Sequence, residues 1–287
     1  MKKALILGAK WNLGSQIIKV FKSSYQLIPL DREEIDLFEI SKLASLLEQY
    51  RPSIIVNAAA YNQVDNCEKS VKEYDKALFL NSRLPAFLAD WCLERGATLV
   101  HYSSDYVFKA DDINHSGFNE EAITSPINKY GLTKDLGEKQ ILALADKGLA
   151  FYLIRTSKLF GPKGSSLMAK ASFFDIMLEL SQTRDKLEVL DSEKSCFTYS
   201  LDLAQATLSL LDDQAKYGLY HLINEGPVTW YQACQLLFKY LKRKNIEIKP
   251  VSQFKRAAQR PNSSILLNTK REKLRPFGEA LKDYYKL

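Results

Sequence analysis

Three side chains near the middle of the chain are of types that could together reduce a carbonyl group. Tyr130 and Lys134 are four residues apart, so on a helix they share one face, one turn apart. An ammonium beside a phenol favours the phenolate and would lower the phenol pKa from its ordinary value of about 10. Ser104 could hold a substrate carbonyl while Tyr130 delivers or accepts its proton. With a hydride donor alongside, these residues would form a carbonyl-reducing centre.

The elements around these residues favour a functional pair over a chance one. Residues 99–108 predict a buried strand that ends in hydroxyl side chains, and the proline at 126 opens a predicted helix over 126–147 with Ser125 as its N-cap. A Tyr-x-x-x-Lys pair alone is a weak sign in a chain rich in both residues. A second pair, Tyr240 and Lys244, lies in a basic amphipathic helix with no such strand before it. We interpret only the first pair as functional.

The composition is typical of an ordinary globular protein of one large or two closely joined domains. Its 287 residues are 46% hydrophobic and 26% charged, with a net charge of +6 at pH 7. The scattered lysines suit anionic small substrates, and no basic run is interleaved with aromatics, which argues against nucleic acid as a partner. No apolar run is long enough for a signal peptide or a membrane span, so we expect a cytoplasmic protein with no membrane partner.

Residues that could bind a metal are not grouped in the sequence, so no metal site is predicted. The cysteines lack metal-ligand spacing and are expected to be buried thiols in a reducing compartment: Cys67, Cys92, Cys196 and Cys234. The histidines are equally scattered: His101, His115 and His221. Four acidic residues are interpreted as ordinary solvated acids: Asp65, Glu68, Asp111 and Asp112.

A glycine turn near the N-terminus predicts a dinucleotide-binding unit. An apolar strand over 4–8 is followed by a turn and then by a helical pattern over 15–21. In such units the amides at the start of the helix receive the pyrophosphate of the dinucleotide. The turn residues expected to line the cofactor are Gly8, Trp11, Asn12, Leu13 and Gly14. Because the pattern's middle glycine is replaced by Trp11, a plain strand-to-helix turn stays open as the alternative.

Trp11 also leads to an expectation about affinity. Bulky residues do not adopt a positive φ cheaply. The indole could either displace the phosphates from the helix amides or swing out and pack over the loop after the third strand. The sequence therefore predicts weak NAD(P) binding and tighter binding after Trp11→Gly.

The ends of the next two predicted strands would complete the cofactor pocket. The strand over 27–30 ends at Asp31, which is placed to hydrogen-bond a ribose hydroxyl, whereas Arg32 beside it could hold a 2′-phosphate. NADPH and NADH therefore both stay open as cofactors. A third strand, 53–57, is followed by residues against which a flat cofactor could lie, although a tight helix contact would also want them small: Ala58, Ala59, Ala60 and Tyr61.

The periodicity of the whole chain predicts an α/β fold. The first half alternates strands with helices over 40–50, 71–81 and 85–95, and a further strand follows at 150–155. Later elements are less regular: helices over 167–183, 201–211 and 230–242, strands at 187–190 and 219–223, and a short mixed remainder. We predict a Rossmann-like doubly wound parallel sheet in 1–160, completed by segments within 187–224, and a smaller, mainly substrate-binding region in 161–287.

Ordered motifs along nearly the whole chain identify a family. The most specific are Asn57-Ala58-Ala59-Ala60-Tyr61, Ser103-Ser104-Asp105-Tyr106-Val107-Phe108, Tyr130-Gly131-x-x-Lys134 with Gly137-Glu138, Arg155-Thr156-Ser157, Gly218-Leu219-Tyr220-His221-Leu222 and Arg260-Pro261. With them the sequence resembles the extended short-chain dehydrogenase/reductases, and among these the dTDP-4-dehydrorhamnose reductase family. The resemblance implies reduction of the 4-keto group of a nucleotide-linked sugar by NADPH or NADH. A monomer and a homodimer both stay open.

The resemblance also implies residue roles. The catalytic hydroxyl, acid and lysine would be Ser104, Tyr130 and Lys134. Beyond the glycine turn, the cofactor would be lined by Asp31, Arg32, Asp36, Leu37, Ala58 to Tyr61, and Lys134. The substrate would be bound by Ser104, Asp105, Tyr106, Tyr130, Lys158 and Arg260.

Three positions depart from the family pattern. Trp11 replaces a glycine, Lys158 stands where a tryptophan usually packs on the sugar, and Phe197 lies near the position of a proline. Lys158 would either redirect substrate choice, toward an acidic sugar or an additional phosphate contact, or simply point to solvent while the pocket is filled from elsewhere. The departures keep a second hypothesis open, namely a binding or regulatory protein that retains the reductase fold.

Overall fold

The structure contains fourteen strands among its described residues. In a computed structural model, residues 1–243 and 245–287 are described, so Lys244 of the second Tyr-x-x-x-Lys pair lies outside the described residues. The strands are β1 Lys3–Leu7, β2 Gln26–Leu30, β3 Ile54–Asn57, β4 Thr98–Ser104, β5 Phe151–Thr156, β6 Leu159–Phe160, β7 Lys186–Leu190, β8 Lys194–Ser195, β9 Thr198–Tyr199, β10 Gly218–His221, β11 Asn224–Glu225, β12 Val228–Thr229, β13 Glu247–Val251 and β14 Leu274–Pro276.

The helices follow the strands in the alternation expected of a wound sheet. They are α1 Asn12–Phe21, α2 Ile40–Tyr50, α3 Val64–Lys69, α4 Val71–Leu78, α5 Leu84–Arg95, α6 Lys129–Leu142, α7 Phe173–Leu180, α8 Ser200–Asp212, α9 Trp230–Tyr240 and α10 Phe277–Tyr285. Short 3₁₀ turns lie at Asp105–Val107 and Ala145–Lys147, and a π turn at Phe79–Arg83 joins α4 to α5.

A central sheet of six strands in the order β10-β5-β4-β3-β1-β2 confirms the predicted Rossmann-like α/β fold. Every neighbouring pair is parallel, so the carboxyl ends of the strands meet at one edge of the sheet. This edge carries Gly8, Asp31, Ala58 and Ser104, each at or just beyond the end of its strand. In open α/β sheets ligands bind outside that edge, so the topology gathers the candidate site residues there.

Apolar side chains cover both faces of this sheet. On one face α2, α5 and α6 bury leucines and isoleucines such as Leu43, Leu88 and Ile141. On the other, α1 and α8 bury residues such as Ile17 and Leu203. Strands buried on both faces explain the near-continuous apolar runs of β1 and β3 in the sequence.

The second region has a separate, aromatic core. Its small two-stranded pairings, β6–β9, β7–β13 and β12–β8, pack with α7, α9 and α10 around Phe160, Phe174, Phe197 and Phe277. The ring centroids of these phenylalanines lie 5.2 to 5.9 Å apart in tilted, stacked or edge-on pairs. Lys158 follows directly after β5, and the Arg260 guanidinium lies 5.8 Å from the ring of Tyr106, just beyond the end of β4.

The helix that carries the Tyr-x-x-x-Lys pair begins later than the sequence predicts. The N-cap is Asn128, whose side chain accepts the Gly131 amide at 2.8 Å, and not Ser125. The Ser125 amide instead donates to the Val107 carbonyl at 2.8 Å, which keeps that segment extended. The helix ends at Leu142 rather than at 147. Tyr130 and Lys134 nevertheless remain one turn apart within it.

Other boundaries differ for reasons of packing and capping. The helix predicted over 167–183 is only Phe173–Leu180, because Ser172 and Asp175 form a capping box that sets its start. The mixed C-terminal remainder contains α10, which buries Phe277, Ala280 and Leu281 in the aromatic core. No helix among the described residues combines the length and apolarity needed to cross a membrane. All four cysteines are buried and unpaired, as the sequence predicts.

Candidate active site and dinucleotide-binding turn

The turn after β1 has the tight backbone that a dinucleotide-binding unit requires. Gly8 has a φ of +77°, and a Cβ there would lie 2.9 Å from the Ala59 amide nitrogen. A Cβ on Gly14 would lie 2.0 Å from the Gly8 carbonyl oxygen, so both positions must be glycine. Helix α1 starts directly after this turn, and its first amides have no intrahelical partners. The residues present therefore fit a bound pyrophosphate.

Trp11 does not need the strained backbone that the sequence suggested. It is the N-cap of α1 with φ −85° and ψ 170°, an extended conformation that any residue adopts. The positive φ of the turn is at Gly8 instead, so the expectation of backbone strain at Trp11 is wrong. The effect of the indole itself on phosphate binding stays a prediction.

A loop after β6 lies directly on this turn. The Asn12 side-chain amide donates to the Pro162 carbonyl at 2.8 Å, and the Ser166 amide donates to the Lys10 carbonyl at 3.0 Å. A Cβ on Gly164 would lie 2.1 Å from the same Lys10 carbonyl, so glycine allows the close approach. The buried Asn12 Oδ1 has no hydrogen-bond partner among the described residues.

Removal of the Trp11 side chain is expected to tighten NADPH binding tenfold or more. The gain would come from one or two amide–phosphate hydrogen bonds at about 1.5–3 kcal/mol each. Because the Trp11 backbone is extended, Trp11→Ala should gain as much as Trp11→Gly. Calorimetric titration of NADPH into the three proteins measures this. Low-micromolar binding by the wild type, with no gain in either variant, would show that Trp11 is harmless.

The carboxylate of Asp31 is already engaged by the backbone around it. Its two oxygens accept the amides of Lys10 and Arg32, each at 2.8 Å, and the side chain is buried. Arg32 itself is exposed, and the Lys10 ammonium pairs with Glu33 and Glu34. Asp31 therefore closes the turn, and any ribose hydroxyl would share a carboxylate that already holds two amides.

The remaining candidate cofactor residues divide between open and buried positions. Asp36 is exposed and caps its own turn, while Leu37 packs against the core. Ala58, Ala59 and Ala60 are half-buried at the end of β3. Tyr61 is buried, and its hydroxyl donates to Glu73 at 2.5 Å, which fixes α4 to the segment after β3. The structure thus places the alanines beside the glycine turn, whereas Tyr61 has a structural partner.

The three candidate catalytic residues lie where β4 meets α6. Ser104 ends β4, and its hydroxyl donates to Asp105 at 3.1 Å while accepting the Tyr106 amide at 3.2 Å. Tyr130 is half-buried, with its ring edge-on to that of Tyr106 at 5.8 Å. The Lys134 ammonium is buried and donates to the Tyr102 carbonyl at 2.6 Å.

The pKa values correct one expectation. Burial raises the pKa of Tyr130 to about 12, opposed by the Ser104 hydroxyl. Burial lowers the pKa of Lys134 to about 8, opposed by the Glu138 carboxylate. Lys134 was expected to lower the Tyr130 pKa, but its ammonium is turned to a backbone carbonyl, and in the free protein the phenol keeps its proton. An alkoxide formed by carbonyl reduction is a stronger base than a phenolate and would still take that proton.

A buried carboxylate anchors the substrate side of this centre. Three serine hydroxyls donate to Asp105: Ser104 at 3.1 Å, Ser157 at 2.8 Å and Ser264 at 2.6 Å. Burial raises the Asp105 pKa, and these hydroxyls oppose the rise. The sequence motifs included Ser157, but nothing in the spacing of Ser264, 159 residues from Asp105, indicated the contact.

Two of the residues interpreted as solvated acids hold elements together, and that interpretation is wrong for them. Asp65 accepts the Ala258 amide at 3.0 Å and pairs with Arg260 at 3.0 Å, so the candidate substrate residue Arg260 is clamped to α3. Glu68 accepts the Lys129 amide at 2.7 Å at the start of α6. The other two, Asp111 and Asp112, are exposed as predicted.

Lys158 does not point to solvent. Its Nζ is buried, 4.3 Å from the ring centroid of Trp230 and 5.1 Å from that of Phe197. Phe197 is itself a buried member of the aromatic core. The solvent alternative is therefore wrong, and the ammonium lies within the protein beside the substrate region.

A parallel Rossmann-like sheet with a glycine turn, a strand-end serine and a Tyr-x-x-x-Lys helix defines the extended short-chain dehydrogenase/reductase class. Comparisons with known proteins narrow this class. The family model described as the RmlD substrate binding domain matches residues 1–286. The chain belongs to this family, that of the dTDP-4-dehydrorhamnose reductases.

Curated and solved relatives agree with this membership. The chain is 31% identical over 284 residues to a dTDP-4-dehydrorhamnose reductase of Aggregatibacter actinomycetemcomitans, covering 94% of this chain and 92% of the relative. It is 31% identical over 249 residues to a dTDP-4-keto-6-deoxy-D-glucose reductase of Streptomyces niveus, covering 86% and 81%. A crystal structure of dTDP-4-dehydrorhamnose reductase from Bacillus anthracis in complex with NADP superposes with a TM-score of 0.89, 30% identity, and coverage of 100% and 99%.

Proposed function

We propose that the protein reduces the 4-keto group of a nucleotide-linked sugar with NADPH or NADH in the cytoplasm. The observation that carries this proposal is the juxtaposition of Ser104, Tyr130 and Lys134 at the sheet edge that also carries the glycine turn. Relatives at 30–31% identity are named for such reductions, and one was crystallised with NADP. A purely regulatory role is not favoured, because the acid, hydroxyl and lysine are all retained.

Each group of site residues would have its own role in the reduction. The turn from Gly8 to Gly14 would hold the pyrophosphate through the first amides of α1, and the alanines after β3 would line the dinucleotide. The bound nicotinamide supplies the hydride. Ser104 would hold the ketone oxygen, and Tyr130 would give its proton to the developing alkoxide. Lys134, charged at neutral pH, would stabilise the resulting phenolate once its ammonium turns from the Tyr102 carbonyl.

Substrate-dependent oxidation of NADPH tests the proposal. The wild type is expected to consume NADPH when dTDP-4-dehydrorhamnose or dTDP-4-keto-6-deoxyglucose is added, and not with dTDP-glucose, which lacks the ketone. The products are identified by mass from the gain of two hydrogens. Tight binding of NADPH and of the keto sugars, with no turnover of either keto sugar, would instead support the binding-protein hypothesis.

A further inference from the structure

A buried lysine beside the candidate active site has none of the hydrogen-bond acceptors that its ammonium requires. Lys158 Nζ makes no hydrogen bond to any described residue, and no acid among them lies within ion-pair distance. Its neighbours are the ring faces of Trp230 and Phe197, at 4.3 and 5.1 Å. Its backbone adopts a φ of +36°, a left-handed conformation that costs a non-glycine residue energy.

Neither of the two nearby carboxylates, Asp105 and Glu193, accepts a hydrogen bond from the Lys158 ammonium, because each has other partners. Asp105 is held by three serine hydroxyls. Glu193 accepts the Trp230 indole N–H at 3.2 Å and forms an ion pair with Arg256. Two aromatic faces attract a cation but accept no N–H···O hydrogen bond, so the ammonium keeps unused donors in a buried position.

The position of Lys158 connects these donors to the proposed chemistry. It directly follows Ser157, whose hydroxyl is bound to Asp105, and Asp105 in turn accepts the hydroxyl of Ser104. The buried hydroxyls of Ser195 and Ser263 likewise lack partners among the described residues. Ser195 lies two residues after Glu193, and Ser263 directly precedes Ser264, whose hydroxyl donates to Asp105. A set of unused donors beside a proposed ketone-binding serine is suited to an oxygen-rich ligand.

We propose, on the basis of the proposed function, that Lys158 is a specificity-determining residue that binds a carboxylate on the sugar of the nucleotide-sugar substrate. A carboxylate supplies the negative charge and the several acceptor lone pairs that the ammonium lacks. A neutral hydroxyl could satisfy one donor but would bring no negative charge into contact with the buried cation.

Two nucleotide sugars that differ only in this group test the inference. Calorimetric titration of dTDP-glucuronate and dTDP-glucose into the NADPH-loaded wild type is expected to show the glucuronate bound about tenfold tighter or more. In Lys158→Met, which keeps the apolar stem as far as Cε and removes the charged nitrogen, the ratio of the two dissociation constants should fall to about one. Lys170→Met, which removes an exposed lysine from the neighbouring loop, should keep the wild-type ratio.

The same ratio should depend on pH in the wild type. Burial lowers the Lys158 pKa to about 8, with Asp105, Glu193 and Cys196 acting in the opposite direction and Arg256 adding to the decrease. The ammonium is therefore present at pH 7 and lost at pH 9, whereas the glucuronate stays ionised throughout. The preference should decline across this interval. This measurement needs no variant to fold.

Each alternative result has a distinct meaning. Equal affinities for the two sugars in the wild type, or a preference that survives Lys158→Met, would overturn the role of Lys158 while leaving the reductase proposal intact. Failure of NADPH and both nucleotide sugars to bind a folded wild type would overturn the proposed function, and this inference with it.

Discussion

Tyr130→Phe is expected to lower kcat for keto-sugar reduction by about 10² or more, because the phenol is the proposed proton donor. The fold should be unaffected. The Ser104 hydroxyl interacts with the phenol, but it also bonds Asp105 and the Tyr106 amide, so removal of the phenol oxygen leaves no buried partner unsatisfied. The ring can keep its contact with Tyr106. NADPH affinity should stay nearly constant, since the phenol is proposed to act on the substrate.

A matched control is present in the chain itself. Tyr240 belongs to the second Tyr-x-x-x-Lys pair and lies in α9, in the aromatic region away from the sheet edge. Tyr240→Phe should turn over at the wild-type rate. Steady-state kinetics, single-turnover rates and NADPH titrations on the three proteins separate chemistry from binding. If Tyr130→Phe and the wild type have equal turnover, the phenol is not the proton donor.

The main features of the sheet could be predicted because local signals and tertiary packing agree there. Helix α2 has the predicted bounds, since its apolar spacing is regular and Pro52 follows shortly after its end. Helix α5 ends before Gly96, whose φ of +63° is the left-handed C-cap expected of glycine. The short apolar runs became parallel strands covered on both faces. In these elements the local sequence pattern favours a single structure, and the tertiary packing favours the same one.

Where the local sequence was compatible with more than one structure, contacts between residues distant in sequence determined which structure formed. Ser125-Pro126 and Asn128 are both good helix starts, and the hydrogen bond from the Ser125 amide to Val107 selected the second. The last helix, α10, is short and depends on the aromatic core contributed by α7 and α9. Neither outcome can be deduced from a window of neighbouring residues.

In the candidate site, too, the sequence predicted some features correctly and others not. The spacing of Tyr130 and Lys134 correctly predicted a shared helix, but not that the ammonium would be directed to the Tyr102 carbonyl. Residue type suggested that Asp31 binds ribose, whereas the fold engages both of its oxygens with backbone amides. Side-chain direction depends on which partners the fold supplies, and sequence spacing alone does not contain that information.

A buried ion pair fastens the candidate catalytic helix to the sheet. Both oxygens of Glu138, on α6, accept the Arg155 guanidinium of β5 at 2.6 to 3.0 Å, and both side chains are almost fully buried. The guanidinium also reaches the His221 ring nitrogen at 3.3 Å and stacks 4.8 Å from the Phe108 ring. Glu138 lies one turn beyond Lys134, so this contact fixes the helix that carries the proposed acid.

Glu138→Gln should therefore destabilise the protein by about 3–5 kcal/mol, because it leaves the Arg155 charge buried without its counter-ion. Urea unfolding should show a lower midpoint with an unchanged m-value. The exposed pair Lys186–Glu247 gives the control, since its side chains are 49% and 62% exposed and Glu247→Gln should cost no more than about 1 kcal/mol. Equal losses in the two variants would show that the buried pair does not fasten α6.

The same substitution should change the pH dependence of catalysis. The Glu138 carboxylate opposes the burial that lowers the Lys134 pKa to about 8, so its removal should lower that pKa further. The ammonium would then be lost at a lower pH, and the alkaline limb of the kcat profile should move in the same direction. Glu247→Gln should leave the profile in place. A Glu138→Gln variant that is less stable but has the wild-type pH profile would confine Glu138 to a structural role, because stability and the charge on Lys134 are separate consequences of one carboxylate.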